Sequence, residues 1–321
     1  MDRFLLLLFM ASLSAISQVQ ENLLLHYTFA GHTEDITSNE YHGTPYAVTF
    51  TEDRFGNPEG AAYFNGMDSY VDLPNIVELK PQLPLSISFW IRFDSDNWQD
   101  REVFNTSHEE DKSSGVFFNT EASTGKYTLN FGDGTSNYSP YTRRTLVSDE
   151  TVVTGEWVHI AAVIRGATDM DIAINCKING GSYTGEGGDL FYSSTPGSIG
   201  RHDRTMGVPA NHFKGAIDDF MYWNRALSQE EIGLLCQPLS ISDQQDVGRI
   251  LMYPNPATQK LHFSKIDFEN KGSIEIFDSF GKRILFSPMV SELDISTISG
   301  GIYFVKISNE KMTSSRKLII Q

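Results

Sequence analysis

At 321 residues the chain is long for one domain and comfortable for two, and its 25 basic and 41 acidic residues leave a formal net charge of −16. The charge is uneven: residues 18–239 hold 14 Lys and Arg against 31 Asp and Glu, net −17, whereas residues 240–321 hold 10 against 9. So acidic a first part disfavours nucleic acid and anionic membrane as partners and is compatible with divalent cations or neutral glycans.

Asp2 and Arg3 precede an apolar run over residues 4–11, followed by the small residues Ser12, Ser14, Ala15 and Ser17. The run is too short to span a bilayer and fits a secretory signal peptide over residues 1–17, with Ala15-Ile16-Ser17 as the cleavage box. No other stretch is apolar enough for a transmembrane segment, so surface attachment is expected to be covalent or through a partner. The two cysteines, Cys176 and Cys236, are an even count in an exported chain. They are expected to form one disulfide, with two buried free thiols as the alternative.

Residues 23–29 alternate as a first strand and lead into a polar loop, residues 31–43, dense in oxygen-bearing side chains. After a turn at Phe55-Gly56-Asn57-Pro58, residues 61–73 read as two short strands about an Asn65-Gly66 turn. Residues 85–93, LSISFWIRF, alternate with Ile87, Phe89 and Ile91 on one face. Residues 94–155 are the least regular part. Within them the loop GDGTSNYSPYTRR carries Tyr138, Tyr141, Arg143 and Arg144, a candidate glycan site because rings pack on sugar C–H faces and guanidinium groups bond hydroxyls. The competing expectation is that these tyrosines cover a sheet edge.

His159, alternating with Trp157 and Ala161, reads as a sheet histidine rather than a base. Residues 170–178 read as the next strand and Asn179-Gly180-Gly181 as its hairpin turn. His202, Asp203, Arg204 and His212 form a scattered loop group. Residues 213–232, FKGAIDDFMYWNRALSQEEI, form a closing strand in which alternation puts Asp218, Phe220 and Tyr222 on one face and Asp219, Met221 and Trp223 on the other. A carboxylate heading an apolar face must find backbone donors, an Arg or a metal. Ser228 and Glu231 have the spacing of a capping box opening a short helix.

The closing run, the loop with Phe29, Asp35, Ser38, Asn39, His42 and Gly43, the Phe64-Asn65-Gly66 turn with Asp68, Tyr70 and Val71, and Trp157-x-His159 together resemble the laminin-G-like, concanavalin A-like jelly-roll family. The resemblance implies an all-β sandwich over residues 18–237 with its first and last strands adjacent. It also implies a structural calcium there, with Asp35, Asn39, Asn65, Gly66 and Asp218 as candidate ligands. The alternative is an Asx-turn at Asp35 and hydrogen bonds at Asp218.

Residues 238–249 are polar and unpatterned, a linker. Beyond them, Tyr253-Pro254-Asn255-Pro256-Ala257, Ile276-Phe277-Asp278 with Gly281-Lys282, Leu293-Asp294-Ile295-Ser296, residues 301–306 and Lys317 resemble the type A C-terminal sorting domain of the type IX secretion system. That resemblance implies a small Ig-like β-sandwich over residues 250–321, engagement of the secretion machinery, removal of the domain and attachment to lipopolysaccharide.

Catalytic motifs are missing from the sequence: no Glu-x-Asp-x-x-Glu strand, His-Glu-x-x-His helix, Gly-x-Ser-x-Gly elbow or phosphate-cradling loop is present, so no catalytic residue is assigned. The expectation is a secreted or cell-surface binding or adhesion module with a glycan or surface-protein ligand. The alternatives are a polysaccharide hydrolase or lyase on the same fold, or a structural surface protein.

Overall fold

The computed structural model describes residues 19–94, 102–107, 109, 112–121, 123–135, 140–201, 212–236, 251–264, 272–278, 282–309 and 313–320. The expected signal peptide and linker, and Tyr138, His202, Asp203 and Arg204, lie outside them. The chain divides into two compact units, Met1–Cys236 and Gln237–Gln321.

The first unit opens with β1 (Leu23–Tyr27), β2 (Thr44–Tyr46), β3 (Thr49–Thr51), β4 (Ala61–Asn65), β5 (Tyr70–Asp72) and β6 (Leu85–Phe93). Next come β7 (Glu102–Asn105), β8 (Val116–Thr120), β9 (Lys126–Gly132), β10 (Arg143–Thr151), β11 (Val158–Gly166) and β12 (Asp169–Ile174). It closes with β13 (Lys177–Asn179), β14 (Gly181–Thr184), β15 (Ser198–Ile199), β16 (Lys214–Trp223) and a helix, α1 (Gln229–Cys236). One eight-stranded sheet runs β13-β12-β11-β6-β16-β4-β3, with β1 also on β16, and the other runs β14-β10-β9-β8-β7-β15-β5-β2.

Strict alternation builds the core between these sheets. In β6, Leu85, Ile87, Phe89, Ile91 and Phe93 point inward and are buried, and Phe104, Phe118, Leu129 and Ile199 answer them from the second sheet. Aromatic contacts bridge the layers, with Phe89 to Phe118 centroids at 5.4 Å and Phe104 to Phe220 at 5.0 Å. Each such ring buried from water contributes about 1.5–3 kcal/mol.

β16 is the strand on which the first sheet turns. Along one side it pairs with β6; its other side is shared, Lys214 to Ile217 with β4 and Phe220 to Trp223 with β1. At the handover the register slips. Asp218 faces Trp90 and Met221 faces Ser88, so three steps on β16 span two on β6, and Asp219 takes φ +49. This bulge corrects the alternation expected from sequence. Asp218 lies across from Trp90 on the outer face, while Phe220 and Tyr222 join the core.

Two turns also differ from expectation. The strand expected over residues 170–178 is split by a two-residue hairpin loop, Asn175-Cys176, both at positive φ (48° and 68°), the type I′ geometry matched to strand twist. Asn179-Gly180-Gly181 is no hairpin turn: it carries the chain from β13 in one sheet to β14 in the other. The Asn65-Gly66 turn likewise joins β4 and β5 of different sheets.

The capping box forms as the spacing predicts, with Ser228 N–H donating to Glu231 Oε2 (2.8 Å) and Glu231 N–H to Ser228 Oγ (3.2 Å). The helix begins there and lays Ile232, with Leu227 just before it, on Ala161, Val163, Ala173 and Trp223 of the outer face. Cys236 at its end is bonded to Cys176 in the type I′ loop, Cα to Cα 5.7 Å.

The second unit contains β17 (Leu251–Tyr253), β18 (Lys260–Ser264), β19 (Gly272–Asp278), β20 (Arg283–Pro288), β21 (Glu292–Asp294), β22 (Gly301–Asn309) and β23 (Thr313–Ile320). A three-stranded sheet, β17-β18-β21, and a four-stranded one, β20-β19-β22-β23, enclose Leu261, Phe263, Ile276, Val305, Ile307 and Leu318. The motif residues hold this sandwich together. Asn255 Oδ1 accepts Ile319 N–H at 2.8 Å, and Asp294 Oδ1 accepts Ser296 N–H at 2.9 Å between the buried Leu293 and Ile295.

Candidate functional site

Of the loop tyrosines and arginines singled out in the sequence, Tyr141, Arg143 and Arg144 lie among the described residues. Tyr141 is 67% exposed. Arg144 is turned to the backbone, donating from Nε to Gly187 O (2.6 Å) and from Nη1 to Gly185 O (3.1 Å). Asp133 completes the fastening of that loop by accepting Gly188 N–H at 2.8 Å. Arg143 is half-buried, with Gly187 packed on its backbone. Arg144 therefore clamps a loop rather than presenting a guanidinium to a ligand.

Three of the five candidate calcium ligands, Asp35, Asn65 and Asp218, direct their side-chain oxygens to other partners. Asp35 Oδ1 accepts the N–H groups of His26 (2.9 Å) and Thr37 (3.0 Å), and Oδ2 accepts Tyr41 N–H (3.0 Å) and Thr37 Oγ1–H (2.7 Å). Asn39 donates to Leu24 O at 2.8 Å. Asn65 Oδ1 accepts Met67 and Asp68 N–H in the turn where Gly66 has φ +76. Asp218 is bonded to Arg54 Nη1. A calcium ion needs six to eight oxygens aimed at it. The side-chain oxygens of Asp35, Asn65 and Asp218 face N–H groups and a guanidinium, which does not fit these three residues to the ion. Among the described residues no group of three or more His, Cys, Asp or Glu is placed to hold a metal.

Arg54 is the organising cation of the outer face of the first sheet. Its Nη2 bonds Asp219 Oδ2 at 2.5 Å, and its guanidinium carbon lies 4.3 Å from the Phe55 ring centroid and 4.9 Å from that of Trp90. Asp219 Oδ1 also meets His26 Nε2 at 3.0 Å. Burial pushes the Asp218 carboxyl up to about 7, helped by the neighbouring Asp219 charge and opposed by Arg54. Burial acts on Asp219 too, but its bonds to His26 and Arg54 outweigh it and hold that carboxyl below the usual range. Beside them His159 is buried, Nε2 at 2.8 Å from Ser88 Oγ and Nδ1 at 3.0 Å from Cys236 Sγ. Burial, with Arg54 adding to it, pushes His159 down to about 3. This neutral imidazole is the sheet histidine expected from the sequence.

The outer face of the second sheet is different in kind. Ladder register sets one row across it: Thr145, Asn130, Phe117, Asn105, Ser198, Asp72 and Thr44. The row exists because β7 to β10 alternate inward Phe104, Phe118, Leu129 and Leu146 with outward amides and hydroxyls. Those polar side chains are buried and satisfy one another. Thr145 Oγ1 donates to Asn130 Oδ1 (2.6 Å), Asn130 Nδ2 to Asn119 Oδ1 (2.8 Å), and Asn105 Nδ2 to Ser198 Oγ (3.0 Å). Glu102 is buried on β7, where its backbone forms an isolated parallel β-bridge with His212.

At the β5-β2 edge this face becomes aromatic and open. Tyr46 and Tyr70 stack with centroids 4.5 Å apart and planes at 22°, and the Arg201 guanidinium carbon lies 3.5 Å from the Tyr70 centroid. Two groups this close to one ring occupy its opposite faces, so Tyr70 is held between them. Arg201 Nη2 bonds Asp72 Oδ1 at 2.9 Å, which fixes the base of the stack. Tyr46, at the top, is 43% exposed. Sequence reasoning missed this group. Its signal is faint, since Tyr-Val-Asp and Thr-Pro-Tyr alternate like any edge strand, and only the sheet brings β2, β5 and the end of β15 together.

A family model described as the concanavalin A-like lectin/glucanases superfamily matches residues 64–233, and one described as a secretion system C-terminal sorting domain matches residues 251–321. The sorting domain marks the chain for export to the secreted or cell-surface compartment. Among solved structures, domain 4 of AbnA, an extracellular arabinanase from Geobacillus stearothermophilus in complex with arabinotriose, is similar at 20% identity and TM-score 0.49, over 67% of this chain and 98% of that one. The botulinum neurotoxin DC binding domain is similar both in complex with rat synaptotagmin II (14% identity, TM-score 0.50) and with SialylT (12%, 0.50), each over 92% of this chain and 74% of the other. The two neurotoxin likenesses show the fold alone. No curated protein matches the chain. Among the described residues no helix is long and apolar enough to cross a membrane.

Proposed function

Because the chain belongs to the concanavalin A-like lectin/glucanase superfamily, we propose that its jelly-roll unit is an exported carbohydrate-binding module, displayed for adhesion, whose ligand stacks on Tyr46. The observation that carries this reading is the ordered Tyr46–Tyr70–Arg201 stack, which turns one aromatic face to solvent at the edge of a polar sheet face. Sugar C–H faces pack on such rings, and a ring already held in place loses little freedom when a ligand arrives. The sorting domain supports engagement of the type IX secretion machinery, with attachment to lipopolysaccharide as the route to surface display.

The test is a polysaccharide binding screen with the exported chain and two variants. Tyr46→Ala is expected to weaken glycan binding about tenfold or more, and Tyr141→Ala to leave it unchanged. Absence of glycan binding, or binding indifferent to Tyr46→Ala, refutes the proposal. A hydrolytic reading has one observation in its favour, the carboxylates of Glu102 and Asp72 on the same face. Release of reducing ends that disappears in Glu102→Gln would establish it.

A further inference from the structure

We infer that the glycan accepted at the Tyr46 platform is uncharged: a neutral sugar rather than a uronic or sialic acid. The inference rests on the binding reading above and concerns the charge of the ligand. On the β7-β15-β5-β2 half of the face, the charged side chains among the described residues are Glu102, Asp72 and Arg201, with the titratable His212 beside Tyr70. Recognition of a sugar carboxylate calls for a guanidinium or ammonium whose N–H groups point at it, best as a bidentate pair. Arg201 lies flat on Tyr70 and directs Nη2 to Asp72, so its charge is balanced by a carboxylate 2.9 Å away.

The remaining surroundings push the same way. Beside the platform the row is built of amides and hydroxyls that are buried and satisfy one another, so it offers a sugar carboxylate no cation. Over a longer range, residues 18–239 carry a net charge of −17, which repels a polyanion before contact. Arg144, one of the guanidinium groups raised by the sequence, is spent on the carbonyls of Gly185 and Gly187.

The test uses the full chain with matched polysaccharides: a neutral β-glucan and a neutral arabinan against polygalacturonate and polysialic acid, each at low and high salt. Expected are binding to a neutral polymer that is insensitive to salt and lost in Tyr46→Ala, and no binding to either polyanion. Asp72→Asn, nearly isosteric, removes the carboxylate that Arg201 Nη2 bonds and is expected to raise affinity for polygalacturonate at low salt several-fold. A wild-type chain that binds a polyanion better than the neutral polymers, through Tyr46, overturns this inference and leaves the platform standing. An Asp72→Asn chain with unchanged affinity for polyanions overturns the electrostatic argument. Binding to none of the four polymers overturns both the inference and the reading beneath it.

Discussion

Asp218 and Asp219 are consecutive residues of a β-strand, yet their carboxylates grip the same guanidinium, that of Arg54. Neighbours on a regular strand point to opposite faces. Here the bulge between Asp218 and Met221 adds a residue, with Asp219 at positive φ, and both acids reach the outer side. The bulge sits where the free edge of β16 passes from β4 to β1. One buried ion cluster thus fastens the first strand, through His26, to the last strand and to the loop after β3.

Arg54→Ala leaves two adjacent acids without their cation and is expected to cost about 3–5 kcal/mol of unfolding free energy in chemical denaturation. Asp219→Asn in that background should recover part of the loss, since the carboxyl that the fold keeps ionised is then gone. Arg54→Lys should recover little, because an ammonium cannot span two carboxylates in a planar fork. A loss below about 1 kcal/mol in Arg54→Ala would show that the cluster is solvated and weak.

Stability against pH should reveal two opposing titrations. With its carboxyl at about 7, folded Asp218 keeps a proton that the unfolded chain releases near 3.9, so its contribution is full below about pH 4 and is lost as pH rises through 7. His159, at about 3, refuses a proton that the unfolded chain takes near 6.5, so its contribution is present above that value and lost as pH falls towards 3. The windows overlap and oppose each other. Calorimetric Tm profiles should therefore diverge: Asp218→Asn should be more acid-sensitive than wild type between about pH 6.5 and 4, and His159→Gln should lose more stability as pH rises from about 4.5 to 7.5. Two profiles parallel to wild type would contradict both assignments.

The disulfide closes a loop with a sequence separation of 60. Loop-closure entropy for that length predicts a loss of about 4 kcal/mol in the Cys176→Ala, Cys236→Ala double variant. Limited proteolysis should then attack α1 first, because its C-terminal end loses its covalent tie and keeps only a short apolar face and the Glu231–Arg225 pair near its start. A Tm unaffected by the double change would mean that this face suffices alone.

Addition of calcium or of a chelator should leave the Tm of the jelly-roll unit unchanged, because the Asp35 oxygens each accept two hydrogen bonds and Asp218 faces Arg54. A stabilisation that saturates with calcium would show that these oxygens exchange N–H partners for the ion.

Much of the fold was legible because it is written in local pattern. The alternation of LSISFWIRF names its own buried face, and Ser228 with Glu231 names the helix start. The bulge at Asp218 was not legible. Period-2 alternation carries no mark of the extra residue, which is imposed by two different strands sharing one edge of β16. The role of Arg144 was hidden for a related reason: it is polar and surface-forming in sequence, and only the path of the 185–188 loop shows its Nε and Nη1 donating to carbonyls.

By itself the sequence determined the two-unit all-β organisation, the sorting tail and the acidic character of the first unit, since each depends on composition, short motifs or strand periodicity. The tertiary structure alone decided which side chains meet. Tyr46 and Tyr70 come from β2 and β5 and Arg201 from just after β15, and they stack only because sheet order puts those three strands side by side. Asp72 balances Arg201 for the same reason. Electrostatic and stacking energies act over a few ångströms, and that proximity is a property of the ladder, not of the order of residues along it.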